Sequence, residues 1–569
     1  MDPVNLQILK LKKATLFCLE GKEWPLFTLI LVVVSPFFLG SCSTVPNKIE
    51  NYLEKSSVGH VSTFLGGIAV DEPRAALVGR DILLAGGSAV DAAVSAYFTL
   101  AVTKPSAASL GGGGICLVRN SGSKTIETLD FRTRPPKLGN TSTEAQVGIP
   151  GNAFGFFALH AKYGKLKWRQ LIQPAEHLAR FGFKISRSLG QDLHMAEKIL
   201  SRDENVKKIF FKKNGFEIRS EGNFVKQSEL SALLSLIKSK GAGGLYQGPI
   251  AQQFVEAIKL AGGRLTYQDL REFKPKWGKT IEVPFVQNTT LHFPSSPRKL
   301  GIQIAQVMSM LTFNDLYEDG DREERAHLIA ESLERSLSDS RRWGKTSQDD
   351  LSKLSPVSEE YIESLLSSYD ANRRIITPGA TEAELDPTSQ SSGASLTTMD
   401  STGSAVACSL SMNRPFGMGR IARGTGVFLS AIPNDKQIDQ SLSAVILDNK
   451  LGNNIFYTSA ASGGATAVSS IINVAIELLV TDNSNLRDSI KLKRIHHGGA
   501  DGITYIEKGI SSTVLEGLAR RGHKLAYVNS MGLVNSIFCR AGMPRKNPED
   551  IDCAVATDPR GHGLSNSVN

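Results

Sequence analysis

A stretch in the last third of the chain, residues 391–435, is rich in serine, whose hydroxyl is one of the side-chain groups that can act as a nucleophile. Two of its runs, 393–400 and 405–413, flank a Ser-Thr-Gly-Ser turn and are rich in β-branched and small residues, which predicts a β-hairpin. The pattern alone fits any half-buried strand pair. Because side chains alternate between the faces of a strand, the second run places large apolar residues on one face (Val406, Cys408, Leu410, Met412) and small or polar residues on the other (Ala405, Ala407, Ser409, Ser411, Asn413).

Polar side chains that could bind a small charged ligand follow predicted strands. Arg132 ends the segment Thr128–Arg132, and a guanidinium pairs bidentately with a carboxylate. An arginine in this setting is most often part of a surface ion pair. At Asn413 and Asp435 the residues alone favour the ordinary interpretations, a turn residue after a strand and a loop carboxylate.

Two patterns that often indicate cofactors do not hold here. The glycines Gly111–Gly114 lack the Lys-Ser/Thr of a phosphate loop and precede a strand, so they predict a tight turn. His496 and His497 are neighbours on a predicted strand and point to opposite faces, so one ion cannot easily bind both. We therefore expect no metal and no organic cofactor.

Composition indicates a globular protein of 569 residues, with 41% hydrophobic and 21% charged residues. The net charge of +9 comes from lysines and arginines mixed with acidic residues, without basic runs interleaved with aromatics, so nucleic acid is not an expected partner. Four cysteines lie in apolar, strand-like contexts without the spacing of a metal site. We expect them to be buried free thiols: Cys116, Cys408, Cys539 and Cys553.

The amino terminus predicts an exported, lipid-anchored protein. Lysines precede the apolar run Trp24–Leu39, which has the length of the hydrophobic region of a signal peptide. The run ends in Leu-Gly-Ser-Cys, which resembles a bacterial lipobox in which Cys42 is lipidated. Residues 1–41 would be the signal peptide and 42–63 a tether, and the protein would lie at the cell envelope, on the periplasmic face of the outer membrane. An uncleaved anchor is the alternative.

Local signals predict helices and strands around the hairpin. Pro73 fits the first turn of a helix and Gly86 fits its end. Ser88 and Asp91 predict a capping box at the start of the next helix. A later helix contains His327, which we expect to cap or pack and not to catalyse. The other expected elements are the helices Ile302–Leu311, His327–Arg341 and Ala467–Leu479 and the strand Ser443–Leu447.

Blocks along about residues 64–563 resemble, in order, those of the γ-glutamyltransferases, a family of N-terminal-nucleophile hydrolases. The resemblance implies an α+β fold, a four-layer αββα sandwich, formed by a large-subunit-like part (64–376) and a small-subunit-like part (393–569) in one globular domain. It also implies a self-cleaving connector, 377–392. The blocks that carry it are the segment Gly66–Val118, Leu129–Arg132, Val147–Gly151, Leu265–Leu270, the hairpin, Ser462–Gly464, Met531–Asn535 and Ala556–Arg560.

The resemblance implies a function and roles for individual residues. Members hydrolyse or transfer the γ-glutamyl group of glutathione and related γ-glutamyl peptides through an acyl-enzyme. Arg132 would bind the α-carboxylate of that group, and Asn413 and Asp435 its α-amino group. Gly463 and Gly464 would present backbone N–H groups to the oxyanion. The expected partners are a small γ-glutamyl peptide and, through the lipid anchor, a membrane.

One position departs from the family pattern. Counted back from the hairpin turn, the family's nucleophilic threonine falls on Gly393, which has no oxygen to attack an acyl carbon. Ser392 is a candidate displaced nucleophile, as is Ser391, but a shift by one residue turns a side chain to the other face of a strand. Ser395 lies on the same face as Gly393 and is the alternative candidate.

Two hypotheses about the function of the chain therefore remain open. In one, it is a lipid-anchored γ-glutamyl hydrolase or transferase that uses a displaced serine. In the other, it is an uncleaved, catalytically inactive pseudoenzyme that binds a glutamyl-type ligand or acts structurally at the envelope. An acylase with a different amide substrate is a weaker third possibility, because the glutamate-binding residues are retained.

Overall fold

The computed structural model describes the greater part of the chain from residue 64 onward. The predicted signal peptide, Cys42, the tether, nearly all of the predicted connector including Ser391 and Ser392, and Asp435 lie outside the described residues. No helix in the described part is long and apolar enough to span a membrane. The described residues are 64–137, 147–296, 298–343, 355–377, 393–432, 442–481, 485–498, 502–545, 547 and 551–568.

Two antiparallel sheets form the centre of the fold. The first has the strand order β20-β1-β9-β10-β2-β3-β6, and the second has the order β19-β18-β14-β13-β8-β7. There are three smaller sheets in the described part of the chain. One has the strand order β15-β16-β17, the second pairs β11 with β12, and the third pairs β4 with β5. The strands are β1 Gly66–Val70, β2 Gly113–Asn120, β3 Thr125–Asp130, β4 Phe183–Lys184, β5 Phe224–Val225, β6 Lys276–Lys279, β7 Ile281–Phe285, β8 Thr289–Phe293, β9 Gly393–Asp400, β10 Ala405–Ser411, β11 Ile421–Ala422, β12 Val427–Phe428, β13 Ser443–Asn449, β14 Asn454–Ser462, β15 Ile495–His497, β16 Ile503–Glu507, β17 Lys524–Val528, β18 Leu533–Met543, β19 Cys553–Ala556 and β20 Leu564–Val568.

Helices cover the outer face of each sheet. Pro73–Leu84 and Ala89–Thr103 pack on the first sheet, and Arg298–Thr312 and Ala467–Val480 pack on the second. The helices predicted at Ile302–Leu311 and Ala467–Leu479 are therefore present, and each observed end lies within a few residues of the predicted one. The remaining α-helices are Pro105–Ala108, Asn152–Tyr163, Trp168–Phe181, Arg187–Leu200, Glu204–Phe210, Ser228–Lys240, Gly243–Tyr246, Gly248–Leu260, Tyr267–Glu272, Leu316–Asp319, Arg322–Trp343, Glu359–Leu366, Leu486–Lys491 and Ser512–Arg520.

Three hydrophobic clusters fill the spaces between these layers. One lies between the first sheet and its helices, and another lies between the second sheet and its helices. The third lies between the two sheets and joins small and apolar residues of both, among them Leu117, Ala407, Ala444 and Ile537. The order helix, sheet, sheet, helix confirms the predicted αββα sandwich, since each sheet buries both faces.

The central hairpin has the predicted strands and faces. β9 and β10 pair with Ala405 opposite Met399 and with Ser411 opposite Gly393. The large residues of β10 join the cluster beneath the helices. On the other face the Ser409 hydroxyl donates to the carbonyl of Ala461 in the second sheet, at 2.7 Å. The polar face of this strand is therefore turned toward the second sheet.

The predicted helix ends are also confirmed. Pro73 is the first residue of its helix, and Gly86 follows that helix with a φ of +80°. Ser88 caps the next helix, where its hydroxyl accepts from the N–H of Asp91 while the Asp91 carboxylate accepts from the N–H of Ser88. These signals act within a few residues of the chain, so the sequence is sufficient to predict them.

The prediction of free thiols is wrong. Cys116 of β2 is bonded to Cys408 of β10, and Cys539 of β18 is bonded to Cys553 of β19. Each pair stands directly opposite across two adjacent strands. The pairing depends on strand register, which the spacing of cysteines along the chain does not contain. The first bond joins the large-subunit-like part of the chain to the small-subunit-like part.

Candidate active site

The candidate site lies at one end of the central hairpin, where three neighbouring strands present a row of small residues. Ser411 at the end of β10 stands opposite Gly393 on one side and opposite Gly113 on the other. A Cβ atom added to Gly113 would lie 2.3 Å from the backbone nitrogen of Thr133. Only glycine therefore allows the segment that contains Arg132 to pass so close to this row.

Arg132 reaches the site from the end of β3, next to this row. Its Nε and Nη2 groups donate to the two carboxylate oxygens of Asp130, at 3.1 and 2.9 Å, and Nη2 also donates to the Ser296 hydroxyl, at 3.0 Å. Burial would raise the pKa of the Asp130 carboxyl, but the hydrogen bonds and charge of Arg132 outweigh it and hold that pKa below its usual value. The N–H groups of Nη1 have no partner among the described residues, so they can donate to a ligand carboxylate.

Asn413 follows β10 in the left-handed backbone conformation, with a φ of +62°. Its Nδ2 group donates to the Thr133 hydroxyl and to the carbonyl of Ala431, both at 2.9 Å. These bonds tie the end of the hairpin to the neighbour of Arg132. The Oδ1 atom has no partner in the described part of the chain and can accept from a ligand ammonium group.

Gly463 and Gly464 form the turn between β14 and the helix Ala467–Val480. Gly463 has a φ of +127°, and a Cβ there would lie 2.3 Å from Cα of Gly532, so the turn requires glycine. The hydrogen bonds of the described residues leave the N–H groups of both glycines without an acceptor. A Cβ at position 393 would lie 3.4 Å from the Gly463 nitrogen. The predicted oxyanion donors and the predicted nucleophile position are therefore neighbours.

A buried ionic network supports this turn from behind. Arg494 donates to the carbonyls of Met531 and Gly532, at 2.6 and 3.1 Å, and pairs with the Asp558 carboxylate. Asp558 also accepts from the N–H of Val534, at 3.0 Å. The network holds the segment against which Gly463 packs. The blocks Met531–Asn535 and Ala556–Arg560 were recognised from the sequence, but the supporting role of Arg494 and Asp558 was not.

A buried carboxylate that sequence reasoning did not single out lies beside the turn. Asp71 is 4% exposed and accepts from the hydroxyl of Ser462 (2.9 Å), from the backbone N–H of Ser395 (2.7 Å) and from Nδ2 of Asn535 (2.7 Å). Burial outweighs these hydrogen bonds and raises the pKa of Asp71. Asp71 directly precedes the capping residue and the first proline of a helix, so its sequence context gave no sign of this environment.

The three hydroxyls proposed from the sequence have different outcomes. Gly393 is the first residue of β9 and, as expected, has no side-chain hydroxyl to offer. Ser395 lies on the same face, but it is fully buried and its hydroxyl contacts Asp71 at 3.3 Å and Asn535 at 2.8 Å. Ser391 and Ser392 fall outside the described residues, as does the ligand candidate Asp435.

The paired histidines are buried and point to opposite faces, as predicted. His496 contacts the Ser469 hydroxyl, at 3.0 Å, whereas His497 contacts the Thr504 hydroxyl, at 3.2 Å. His327 packs against His523 with a hydrogen-bond distance of 2.7 Å between ring nitrogens. His327, His523 and Glu331 lie close enough together to surround an ion. The hydrogen bond between His327 and His523, however, already occupies the ring nitrogens that face each other.

Solved structures place the fold among the acylases of the N-terminal-nucleophile type. The chain superposes on the crystal structure of cephalosporin acylase from Bacillus halodurans with a TM-score of 0.73 and 19% identity, covering 89% of this chain and 96% of that one. At this identity the similarity establishes the fold alone. It defines the class of fold, the four-layer αββα sandwich found in N-terminal-nucleophile hydrolases.

Sequence comparison then identifies the family. The family profile described as Gamma-glutamyltranspeptidase matches residues 75–568, so the chain belongs to the γ-glutamyltranspeptidase family. It is 27% identical to the glutathione hydrolase proenzyme of Escherichia coli over 559 residues, covering 89% of this chain and 94% of that one. It is also 25% identical to the glutathione hydrolase 5 proenzyme of Rattus norvegicus over 564 residues, covering 91% and 94%.

Proposed function

We propose that this chain is a γ-glutamyltransferase that hydrolyses or transfers the γ-glutamyl group of glutathione and related γ-glutamyl peptides. One observation carries the proposal: a guanidinium with free donors, an amide oxygen and two unpaired glycine N–H groups belong to segments that meet at one end of the hairpin. This is the donor and acceptor set that an α-amino acid with a reactive side-chain carbonyl requires.

Each ligand group has a matching partner in the proposed complex. The Nη1 group of Arg132 donates to the α-carboxylate, while Asp130 holds the guanidinium in place. The Oδ1 atom of Asn413 accepts from the α-ammonium group, and Asp435 supplies the negative charge opposite it. Gly463 and Gly464 donate to the oxygen of the γ-carbonyl as it becomes an oxyanion.

The acyl-enzyme needs a hydroxyl in place of the absent threonine. The serines nearest to Gly393 along the chain are Ser392, Ser391 and Ser395, and these are the candidates that the sequence offers. The glycine also favours the second function, an uncleaved protein without catalysis that binds a glutamyl-type ligand, since such a protein needs the pocket and not the nucleophile.

The test is release of the aniline from a γ-glutamyl anilide by the purified protein from residue 43 onward, together with gel analysis. Because Cys116 and Cys408 are bonded, cleaved fragments separate only under reducing conditions, so reducing and non-reducing gels must be compared. Saturable release above the rate without protein supports the enzyme. Saturable binding of a γ-glutamyl peptide by an uncut chain without any release contradicts it and supports the binding protein.

We also propose that Cys42 carries a lipid that anchors the protein at the bacterial cell envelope, facing the periplasm from the outer membrane. The lipobox-like run before this residue supports the proposal. Cells fed radiolabelled palmitate should label the full-length protein and leave the Cys42→Ala variant unlabelled. Equal labelling of both would contradict the anchor at this residue.

A further inference from the structure

We propose that Ser462 is the nucleophile of this protein and that Asp71 is its general base. This inference rests on the proposed function, because it supplies the hydroxyl that the acyl-transfer reaction needs and position 393 lacks. It differs from an amino-terminal nucleophile in requiring no cleavage of the chain. Four features of the structure carry it.

The first feature is the position of Ser462 on the backbone. It is the last residue of β14, and the turn through Gly463 leads directly into the helix Ala467–Val480. A sharp strand-to-helix turn presents a serine hydroxyl next to the N–H of the following residue, the arrangement of the nucleophile elbow in serine hydrolases. Here the following residues are the two glycines whose N–H groups have no acceptor among the described residues.

The second feature is the space left by Gly393. A Cβ built at this position lies 3.0 Å from Cβ of Ser462. A threonine at 393 would therefore crowd Ser462, whereas glycine leaves the space beside it open. Ser462 itself is only 1% exposed and Gly393 is partly exposed, so the glycine is the side from which a substrate carbonyl can approach.

The third feature is the hydrogen bond that a base needs. The Ser462 hydroxyl donates to Oδ2 of Asp71, at 2.9 Å, within the range expected for proton transfer. The fourth is the fixed orientation of that carboxylate, since the N–H of Ser395 and Nδ2 of Asn535 hold its two oxygens. Burial raises the pKa of Asp71, which makes it a stronger base than an exposed carboxylate.

The reaction balances with water or an amine as the second substrate. The Ser462 oxygen attacks the γ-carbonyl carbon while its proton passes to Asp71, and the glycine N–H groups stabilise the oxyanion. The amide C–N bond then breaks, and the leaving amine takes the proton from Asp71. Water, or an acceptor amine, next attacks the glutamyl ester and gives its proton to Asp71. The ester bond breaks, the proton returns to Ser462, and glutamate or a new γ-glutamyl amide leaves.

Three variants test the assignment with the γ-glutamyl anilide. Ser462→Ala should lower kcat at least ~10³-fold, and Asp71→Asn should lower it ~10²–10⁴-fold. Ser459→Ala is the matched control, because this serine is equally buried, lies three residues earlier on β14 and bonds to Asn535 and Ser536 instead. It should leave kcat within about twofold. Circular dichroism and melting curves separate a folding defect from a lost nucleophile.

A covalent probe identifies the nucleophile directly and does not depend on the folding of variants. A glutamate γ-phosphonate diester, which reacts with activated hydroxyls, is incubated with the unmodified protein, and the modified peptide is mapped by mass spectrometry. Labelling of Ser462 in an uncut chain, lost in Ser462→Ala, supports the proposal. Labelling of Ser392, Ser395 or a new amino-terminal residue overturns it while leaving the proposed function intact. No labelling together with no anilide turnover overturns both.

Discussion

Replacing Arg132 with alanine is expected to lower kcat/KM for a γ-glutamyl anilide by ~10²–10³-fold, mainly by raising KM. In the proposed complex the guanidinium pairs with a carboxylate that stays charged in the ground state and in the transition state, so its loss weakens binding of both. Truncating one partner of such a pair costs about 2–5 kcal/mol. Steady-state kinetics at fixed pH measures the effect.

Two further substitutions distinguish the carboxylate contact from a general loss of charge. Arg132→Lys keeps the charge but loses the fork that binds Asp130 through two N–H groups, so we expect an intermediate loss. Arg134→Lys is the control, since Arg134 instead contacts the Lys274 carbonyl and the Phe273 ring. An unchanged KM in Arg132→Ala would contradict the assignment of this residue to the substrate.

The domain is expected to lose several kcal/mol of stability as the pH falls from about 6.5 to about 4, because it buries neutral histidines. Burial lowers the pKa of His496 from 6.5 to about 4 and lowers that of His523 to about 3. Below pH 6.5 the unfolded chain binds protons that the folded chain does not, so protonation favours unfolding. The contribution of His496 alone is about 3 kcal/mol, since one pKa unit corresponds to about 1.4 kcal/mol.

Urea unfolding at pH values between 4 and 7 tests this dependence. The variant His496→Asn places an amide where the imidazole nitrogen contacts Ser469 in the unmodified protein, and it removes the titrating group. The stability of this variant should therefore depend less on pH than that of the unmodified protein. The raised carboxyl pKa values of Asp71 and Glu331 act in the opposite direction, because a protonated buried carboxyl favours the folded state at low pH. A stability that stays constant or rises toward pH 4 would contradict the prediction.

The features that could be predicted from the residues alone are local. The hairpin faces follow from a period of two, and the helix starts at Pro73 and Ser88 follow from capping chemistry. The layered fold and the proposed ligand roles of Arg132 and Asn413 required more, namely the resemblance of ordered blocks to a known family. The structure adds that the Nδ2 group of Asn413 is bonded to the neighbour of Arg132, which no local pattern contains.

The wrong prediction about the cysteines and the missed role of Asp71 both depend on how the strands align and pack, which the sequence alone does not give. Whether Cys116 faces Cys408 depends on how β2 aligns with β10, and an apolar context around each cysteine is the same for a thiol and for a disulfide. Asp71, Ser462 and Asn535 are separated by hundreds of residues or by entire strands and helices. They meet because β1 of the first sheet packs against β18, the neighbour of β14 in the second sheet.

The amino-acid sequence thus determined which family this chain belongs to and that its threonine position is a glycine. The order of blocks and the identity of a single residue are properties of the linear chain. The proposal that Ser462 replaces the threonine rests on the tertiary structure, because a nucleophile is defined by its base, its oxyanion donors and the space in front of it. Those three conditions involve residues 71, 393 and 462–464. The packing of one sheet on the other places the Ser462 hydroxyl 2.9 Å from Asp71 and brings Gly393 next to Ser462 and Gly463.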